Sequence, residues 1–338
     1  MKDSTQEIDK ILETIREYRR FVLTSHINPD GDGLGSELAL YHFLNNQQKE
    51  VIVLNDSPVP ATFRFMDLEE NIFKRYGSEY KEDIIKADVI FILDISELSR
   101  LGALRGAIEE SPAKRICIDH HVSNNFPGDI LYADEAAAAT GEMIKRLIDR
   151  SDEKLTVEMA EALYIALLSD TGCFRFSNTN ARAHQLGADL LKAGANHQRI
   201  FHYLYENNSW EKTRLYSQAL STLKQEADGK IATMIITRDM LKQSGAAYED
   251  IEGFSDFARN IKGVLLSILF VELKNTNIKI SFRSGSDVLV NKLAGELGGG
   301  GHKNASASVI KDLSLDETIR KVLNIAITYV KVSNYNQL

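Results

Sequence analysis

A chain of 338 residues, 43% hydrophobic and 26% charged, falls in the ordinary globular range and is long enough for two hydrophobic cores. Its formal charge of −8 argues against a protein that coats long nucleic acid, since such binders gain affinity by neutralising many phosphates from a basic face, and favours a short or small anionic substrate. The two cysteines, Cys117 and Cys173, lack CxxC spacing, the first twenty residues lack a signal-peptide apolar stretch, and the longest apolar run, 263–273, is broken by Ser267. The expectation is a reduced, cytoplasmic protein without a zinc knuckle or membrane segment.

In chain order, apolar runs at 21–25, 51–55, 88–94 and 115–119 alternate with helix-like stretches such as 34–47, the rhythm of a largely parallel α/β sheet. The runs ending at Ser25, Asp94 and Asp119 are followed at once by polar residues, where an open α/β sheet places its binding crevice. From Glu135 to about Lys224 the pattern is chiefly helical, with apolar residues three and four apart. Strand-like runs resume after Asp228-Gly229 in KIATMIIT, VLLSILFVEL and IKISFRS, followed by helix-like DVLVNKLAGEL and the glycine run 298–301. The division read from this is a mainly parallel α/β catalytic lobe at 1–190, a helical connector at 191–229 and a smaller α/β lobe at 230–338, with a cleft between the lobes.

The segment HINPDGDGLGS follows a strand and precedes a helix, and packs His26, Asp30 and Asp32 into seven residues. The turn could bring these onto one region where mutual repulsion calls for a cation; equally, Asp30 and Asp32 could cap the helix. In IDHHVSN, His120 and His121 end a strand, so one imidazole can bind metal while the other faces a phosphate, or both can lie in a solvated loop. Asp94 closes VIFILD and Asp170 closes YIALLSD; singly, each could be a cap or pair with Arg100 or Arg175. Jointly, four element ends each carry an acid or an imidazole. That set suits two divalent cations bridged by carboxylates, with Mn²⁺ favoured, Mg²⁺ or Co²⁺ possible, and Ca²⁺ or structural zinc disfavoured. Near the C-terminus, GELGGGGHKNASAS could let backbone amides of Gly299, Gly300 and Gly301 approach an anion beside His302, or could be a plain turn. Arg259, Lys262, Arg283 and Lys303 give this lobe cationic candidates for phosphate.

HINPDGDGLGS, LDIS, IDHHVSN and LSDTGCF, in this order, resemble the four motifs of the DHH phosphoesterase family, and FRSGSDVLVNKLAGELGGGGHKNASA resembles the DHH-associated C-terminal domain. The two resemblances span nearly the whole chain, in a compact form similar to the NrnA-type bifunctional oligoribonucleases. The resemblance implies that His26, Asp30 and Asp94 hold one metal and that Asp32, Asp94, His120 and Asp170 hold the other, with Asp94 and Asp170 bridging. It further implies that His121 faces the scissile phosphate, that Asp119 supports the histidines, and that Arg283, Ser284, the glycine run and His302 bind the rest of the substrate. Gly33 stands where the family often has Ala, Glu97 where Asp is common, and Ser306-Ala307 where Ala-Gly often follows; none removes a metal ligand.

The activity implied is hydrolysis of short oligonucleotides (nanoRNA) to nucleoside 5′-monophosphates, together with 3′-phosphate removal from adenosine 3′,5′-bisphosphate (pAp). Alternatives are a cyclic- or linear-dinucleotide phosphodiesterase and a non-catalytic nucleotide sensor. Long duplex nucleic acid is not expected as a partner, and a homodimer is left open.

Overall fold

The structure, a computed structural model, describes residues 4–95, 97–121, 128–273, 276–285 and 288–333. The chain divides into two compact units, Met1–Asn207 and Asn208–Leu338. Among the described residues, no helix is long and apolar enough to cross a membrane.

The first unit runs α1 (Thr5–Glu17), β1 (Arg20–Thr24), α2 (Gly31–Asn46), β2 (Glu50–Asn55), β3 (Phe73–Arg75), α3 (Lys81–Lys86), β4 (Val89–Leu93) and α4 (Leu104–Glu110). It continues with β5 (Lys114–Asp119), β6 (Ile130–Ala133), α5 (Thr140–Arg150), α6 (Val157–Asp170), α7 (Ala181–Lys192) and α8 (His197–Phe201). Its six strands pair in parallel in the order β3-β2-β1-β4-β5-β6. A parallel sheet needs both faces covered, which is why β4 is five consecutive buried apolar residues, VIFIL. One face packs under α1, α2, α5 and α6, the other under α3 and α4. The chain moves outward from β1 to β3 and then returns beyond β1 to β4, so the β1 and β4 carboxyl ends form a topological switch point with an open crevice.

Helix α2 is buried along nearly all of its first ten residues, Gly31 to Leu40, because it lies between the sheet and helices α5 and α6. Small residues allow the close approach to α6. A Cβ on Gly35 would stand 2.5 Å from the Ala162 carbonyl oxygen and 2.9 Å from the Ala166 Cβ. Gly35→Val is therefore expected to cost on the order of 1–3 kcal/mol, as overpacking between fixed backbones does. A urea unfolding midpoint equal to wild type would show that the two helices do not depend on this contact.

The second unit comprises α9 (Trp210–Ser221), β7 (Lys224–Glu226), β8 (Ile231–Ile236), α10 (Arg238–Ser244), α11 (Phe254–Phe257), β9 (Leu266–Glu272), β10 (Ile278–Ser284), α12 (Val290–Glu296), β11 (Gly300–His302), β12 (Ala305–Ile310) and α13 (Leu315–Ser333). Its mixed sheet has the order β11-β12-β10-β9-β8-β7, with only β8 and β9 parallel. In β10 burial alternates strictly, the signature of a strand with one face on a core.

One expectation from sequence is corrected here. The stretch read as helical through residue 229 stops being helical at Ser221, where the Thr222 hydroxyl accepts from Ile235 N and steers the chain into the short strand β7. The glycine run straddles a turn and an edge strand: Gly298 lies in the turn after α12, and Gly300 and Gly301 open β11. A Cβ on Gly299 would meet the Ala307 carbonyl at 2.1 Å, and Gly301 has φ +138° with its Cβ position 2.7 Å from Ala305 O. At these two positions glycine lets the strand lie against β12.

Candidate metal centre

The predicted ligands converge at the switch point. His26 follows β1, Asp30 and Asp32 begin α2, Asp94 follows β4, His120 and His121 follow β5, and Asp170 ends α6. Three groups of side chains have ligand atoms within 4.8 Å of one another: His26, Asp30 and Asp94; Asp32, His120 and Asp170; and Asp94, His120 and His121. Asp94 belongs to two of them. It is 2% exposed and adopts φ +57°, a left-handed conformation rare for a side-chain-bearing residue. That turn directly after β4 aims the carboxylate to stand 3.6 Å from His26 Nε2 through one oxygen and 3.7 Å from His120 Nε2 through the other.

Both imidazoles are oriented by a hydrogen bond at the other ring nitrogen. His26 Nδ1 lies 2.8 Å from Ile27 O and His120 Nδ1 3.3 Å from Ala137 O, so each Nδ1 carries the proton and each Nε2 is directed at carboxylates. His120 Nε2 is buried and has no hydrogen-bond partner, although Asp32 and Asp170 stand 3.6 Å away. These separations are too long for direct hydrogen bonds and suit atoms sharing one ion, which at metal–ligand bonds of about 2 Å lie about 3 Å apart. The donor set therefore fits a divalent cation.

Asp32 is fully buried, accepts from the Thr140 and Gly141 amides at the start of α5, and has its pKa raised well above normal by burial and by Asp94. Burial, reinforced by Asp94, raises Asp170 to about 7 despite the pull of His120. Burial opposes charge on the histidines, yet the surrounding carboxylates outweigh it, raising His26 to about 10 and His120 to about 9. The raised Asp32, Asp170, His26 and His120 favour protons at this cluster in place of the cation it would otherwise share, while His26 and the capping amides hold Asp30 down at about 2 against its burial.

Of the two acids of the first motif, only Asp30 caps the helix. Asp30 Oδ1 caps α2 through the Asp32 and Gly33 amides while Oδ2 faces His26 at 3.8 Å. Asp94 and Asp170 do not pair with Arg100 or Arg175. The 1% exposed Asp119 accepts from both the amide and Nδ1 of His121, the latter at 2.8 Å, and thereby fixes that ring. A Cβ at Gly33 would stand 2.4 Å from the Ser25 hydroxyl and 3.2 Å from the Ser25 Cβ, so an alanine here would require the Ser25 side chain to move.

Several supporting residues were not singled out from the sequence. Thr140 donates to Asp94 Oδ1, and the Asn178 side-chain amide holds Asp170 at 2.9 Å while also binding Ala138 O. Beneath His26, Glu37 accepts from Asn55 Nδ2, and Asn55 Oδ1 accepts from Ser25 N. Glu37 is fully buried, and burial raises its pKa to about 8, so it is a neutral acid at pH 7. The unfolded chain ionises this group near 4.5, so stability falls as pH rises from there towards 8, and Glu37→Gln removes that penalty. The variant is expected to gain stability relative to wild type between pH 5 and pH 8 in metal-free urea unfolding; a constant difference across that range would refute the neutral carboxyl.

In the second unit, Arg283 pairs with Asp256 at 3.4 Å and is about one-quarter exposed. Ser284 was expected to contact substrate, but its hydroxyl is fully buried, donates to Val288 O and accepts from Asn304, which commits it to shaping the turn. Gly300 and His302 lie on the edge strand β11, with the His302 side chain outside the described residues, and Arg259 sits in the turn Ala258–Asn260.

A pair of domains accounts for most of the chain. Residues 20–167 match the DHH family, N-terminal domain, and residues 228–331 match the DHHA1 domain. The chain belongs to the DHH family and is a hydrolase. Among its relatives, the bifunctional oligoribonuclease and PAP phosphatase NrnA of Thermus thermophilus is 32% identical over 304 residues, covering 89% of this chain and 87% of the relative. The protein of the same name from Bacillus subtilis is 28% identical, covering 92% and 95%. The crystal structure of an exopolyphosphatase-related protein from Bacteroides fragilis superposes with a TM-score of 0.92 at 30% identity, covering 98% of this chain and 99% of that one.

Proposed function

We propose that this protein is a metal-dependent phosphoesterase that hydrolyses short oligonucleotides to nucleoside 5′-monophosphates and removes the 3′-phosphate of pAp. The observation carrying this reading is the convergence of His26, Asp30, Asp32, Asp94, His120 and Asp170, with an unpartnered His120 Nε2, at the sheet's switch point. The donor set of carboxylates and imidazoles without thiolate supports Mn²⁺, with Mg²⁺ or Co²⁺ as substitutes, and its six ligands around a shared Asp94 support two ions. Such ions, when bound, would lower the pKa of water and offset charge on the phosphoryl oxygens.

The protein's own groups do the rest. His26 with Asp30 and Asp94 would hold one ion, and Asp32, Asp94, His120 and Asp170 the other. The Asp119 carboxylate orients the His121 ring and raises its pKa against burial, which favours the protonated imidazole as the group that would meet the scissile phosphate. In the DHHA1 unit, Arg283 and the unpaired side of the edge strand at Gly300, Gly301 and His302 would take the rest of the nucleotide, with Arg259 as a further cation, while Gly299 spends its amide on Ala294 O and Ser284 its hydroxyl on Val288 O. The two unbridged cysteines accord with a cytoplasmic setting.

The test is a panel of two- to ten-residue RNAs, pAp, cyclic di-AMP, polyphosphate and pyrophosphate incubated with Mn²⁺ or Mg²⁺. Release of nucleoside 5′-monophosphates from the shortest RNAs and of phosphate from pAp is expected. Turnover confined to cyclic di-AMP or polyphosphate, or tight binding of dinucleotides without turnover, would replace this reading.

A further inference from the structure

The carboxyl edge of the parallel sheet holds a second feature beside the metal centre. At the ends of β2 and β3, a cavity of about 180 Å³ is lined by Asn55, Ser57, Arg64, Lys74 and Arg75, among others. At a liquid-water share of about 30 Å³ each, that space would hold roughly six waters, enough for a phosphate group and part of its sugar.

Its wall is bonded to the ligand-bearing turn. Asn55 Oδ1 accepts from Ser25 N, immediately before His26, and the Ser57 hydroxyl accepts from Asn28 N, two residues before Asp30. The charges in it are unevenly committed. Asp67, which also lines the cavity, spends its carboxylate on the amides of Asn71, Ile72 and Phe73. Lys74 Nζ donates to the Glu70 carbonyl, which leaves the exposed Glu70 side chain as the one carboxylate of the lining not held by backbone amides. The Arg64 and Arg75 guanidiniums have no hydrogen-bond or ion-pair partner among the described residues. Two uncommitted guanidiniums at the mouth of a polar cavity, one strand from the reacting centre, have the chemistry of a phosphate site.

We propose that this cavity binds the 5′-phosphate of the nucleoside whose 3′-oxygen departs, an assignment that rests on the phosphoesterase reading above. In the hydrolysis, water adds its oxygen to phosphorus, the P–O3′ bond breaks, and the 3′-oxygen leaves as a hydroxyl after taking a proton. For pAp and for 5′-phosphorylated diadenylate (pApA) the departing fragment is the same species, adenosine 5′-monophosphate. One 5′-phosphate subsite therefore serves a phosphomonoester and a phosphodiester substrate alike, and a substrate with a bare 5′-hydroxyl leaves both arginines unpaired.

The experiment compares pApA with ApA in wild type and in the Arg64→Gln, Arg75→Gln double variant, both positions being exposed and outside the core. Wild type is expected to prefer pApA by at least roughly tenfold in kcat/KM, mainly through KM, as charge-assisted contacts to one phosphate would give. In the double variant that ratio falls towards one. A ratio that is the same in both proteins, or close to one in wild type, overturns the proposal. Should wild type cleave neither dinucleotide, the hydrolytic reading fails, and calorimetric titration with pAp and adenosine 3′-monophosphate in Mn²⁺ still reads the subsite. Loss of the tighter binding of pAp in the double variant upholds it, and equal pAp affinity in the two proteins rejects it.

Discussion

Asp94→Ala is expected to lower kcat by on the order of 10³-fold or more, because one carboxylate serves both halves of the ligand cluster. Its two oxygens face different histidines, so no single neighbour can take its place. The loss comes from the missing carboxylate and not from the backbone at φ +57°, so it should not be rescued by Asp94→Asn, which keeps the turn but supplies a neutral, weaker ligand. Arg283→Ala is the contrasting case: on the proposed assignment, in which it removes a substrate contact and no metal ligand, it should raise KM roughly tenfold and leave kcat within a few-fold. Steady-state kinetics with pAp, alongside manganese titration of each variant, separates these outcomes. Full metal affinity with full turnover in Asp94→Ala would sink the assignment of this residue, and an equal fall in kcat for Arg283→Ala would sink the division of labour between the two units.

What was legible in the sequence follows from which signals are local. The central strands β1, β2, β4 and β5 announce themselves because a parallel sheet covered on both faces demands continuous apolar runs. The ligands are legible for the same reason, since acids and imidazoles directly after such runs stand out against their context. Short peripheral strands do not. β3 and β6 have three and four residues, too few for a pattern, and β7 is overwritten by the helical periodicity that leads into it. The glycine run stayed ambiguous because glycine permits both a turn and a close strand pairing, and only the pairing of Gly300 and Gly301 with Ala307 and Ser306 decides between them. The residues that orient the ligands are the least visible. Thr140 reaches Asp32 across 108 positions of sequence, and Asn178, Asn55 and Glu37 are residue types common anywhere on a helix or turn. Their roles come from partners that tertiary packing supplies.

Proton release on metal binding is the second large expected effect. In the metal-free protein, carboxylates raise His26 to about 10 and His120 to about 9, so at pH 7 both imidazoles carry the proton that a metal ion must displace from Nε2. The sign follows from this: these raised pKa values stabilise the metal-free fold most fully below the unfolded value of 6.5 and lose that contribution as pH rises through 9 to 10, whereas metal binding gains throughout. Each proton displaced makes apparent affinity climb about tenfold per pH unit, so manganese should bind at least roughly 100-fold more tightly at pH 8 than at pH 6. Asp170, at about 7, adds a further proton over part of that window. Calorimetry in two buffers of different ionisation enthalpy counts the protons directly, and at least two per protein are expected near neutrality. Equal affinity at pH 6 and pH 8 with no buffer-dependent heat would mean that manganese does not enter through His26 and His120, and the proposed metal centre would have to be placed elsewhere in the protein.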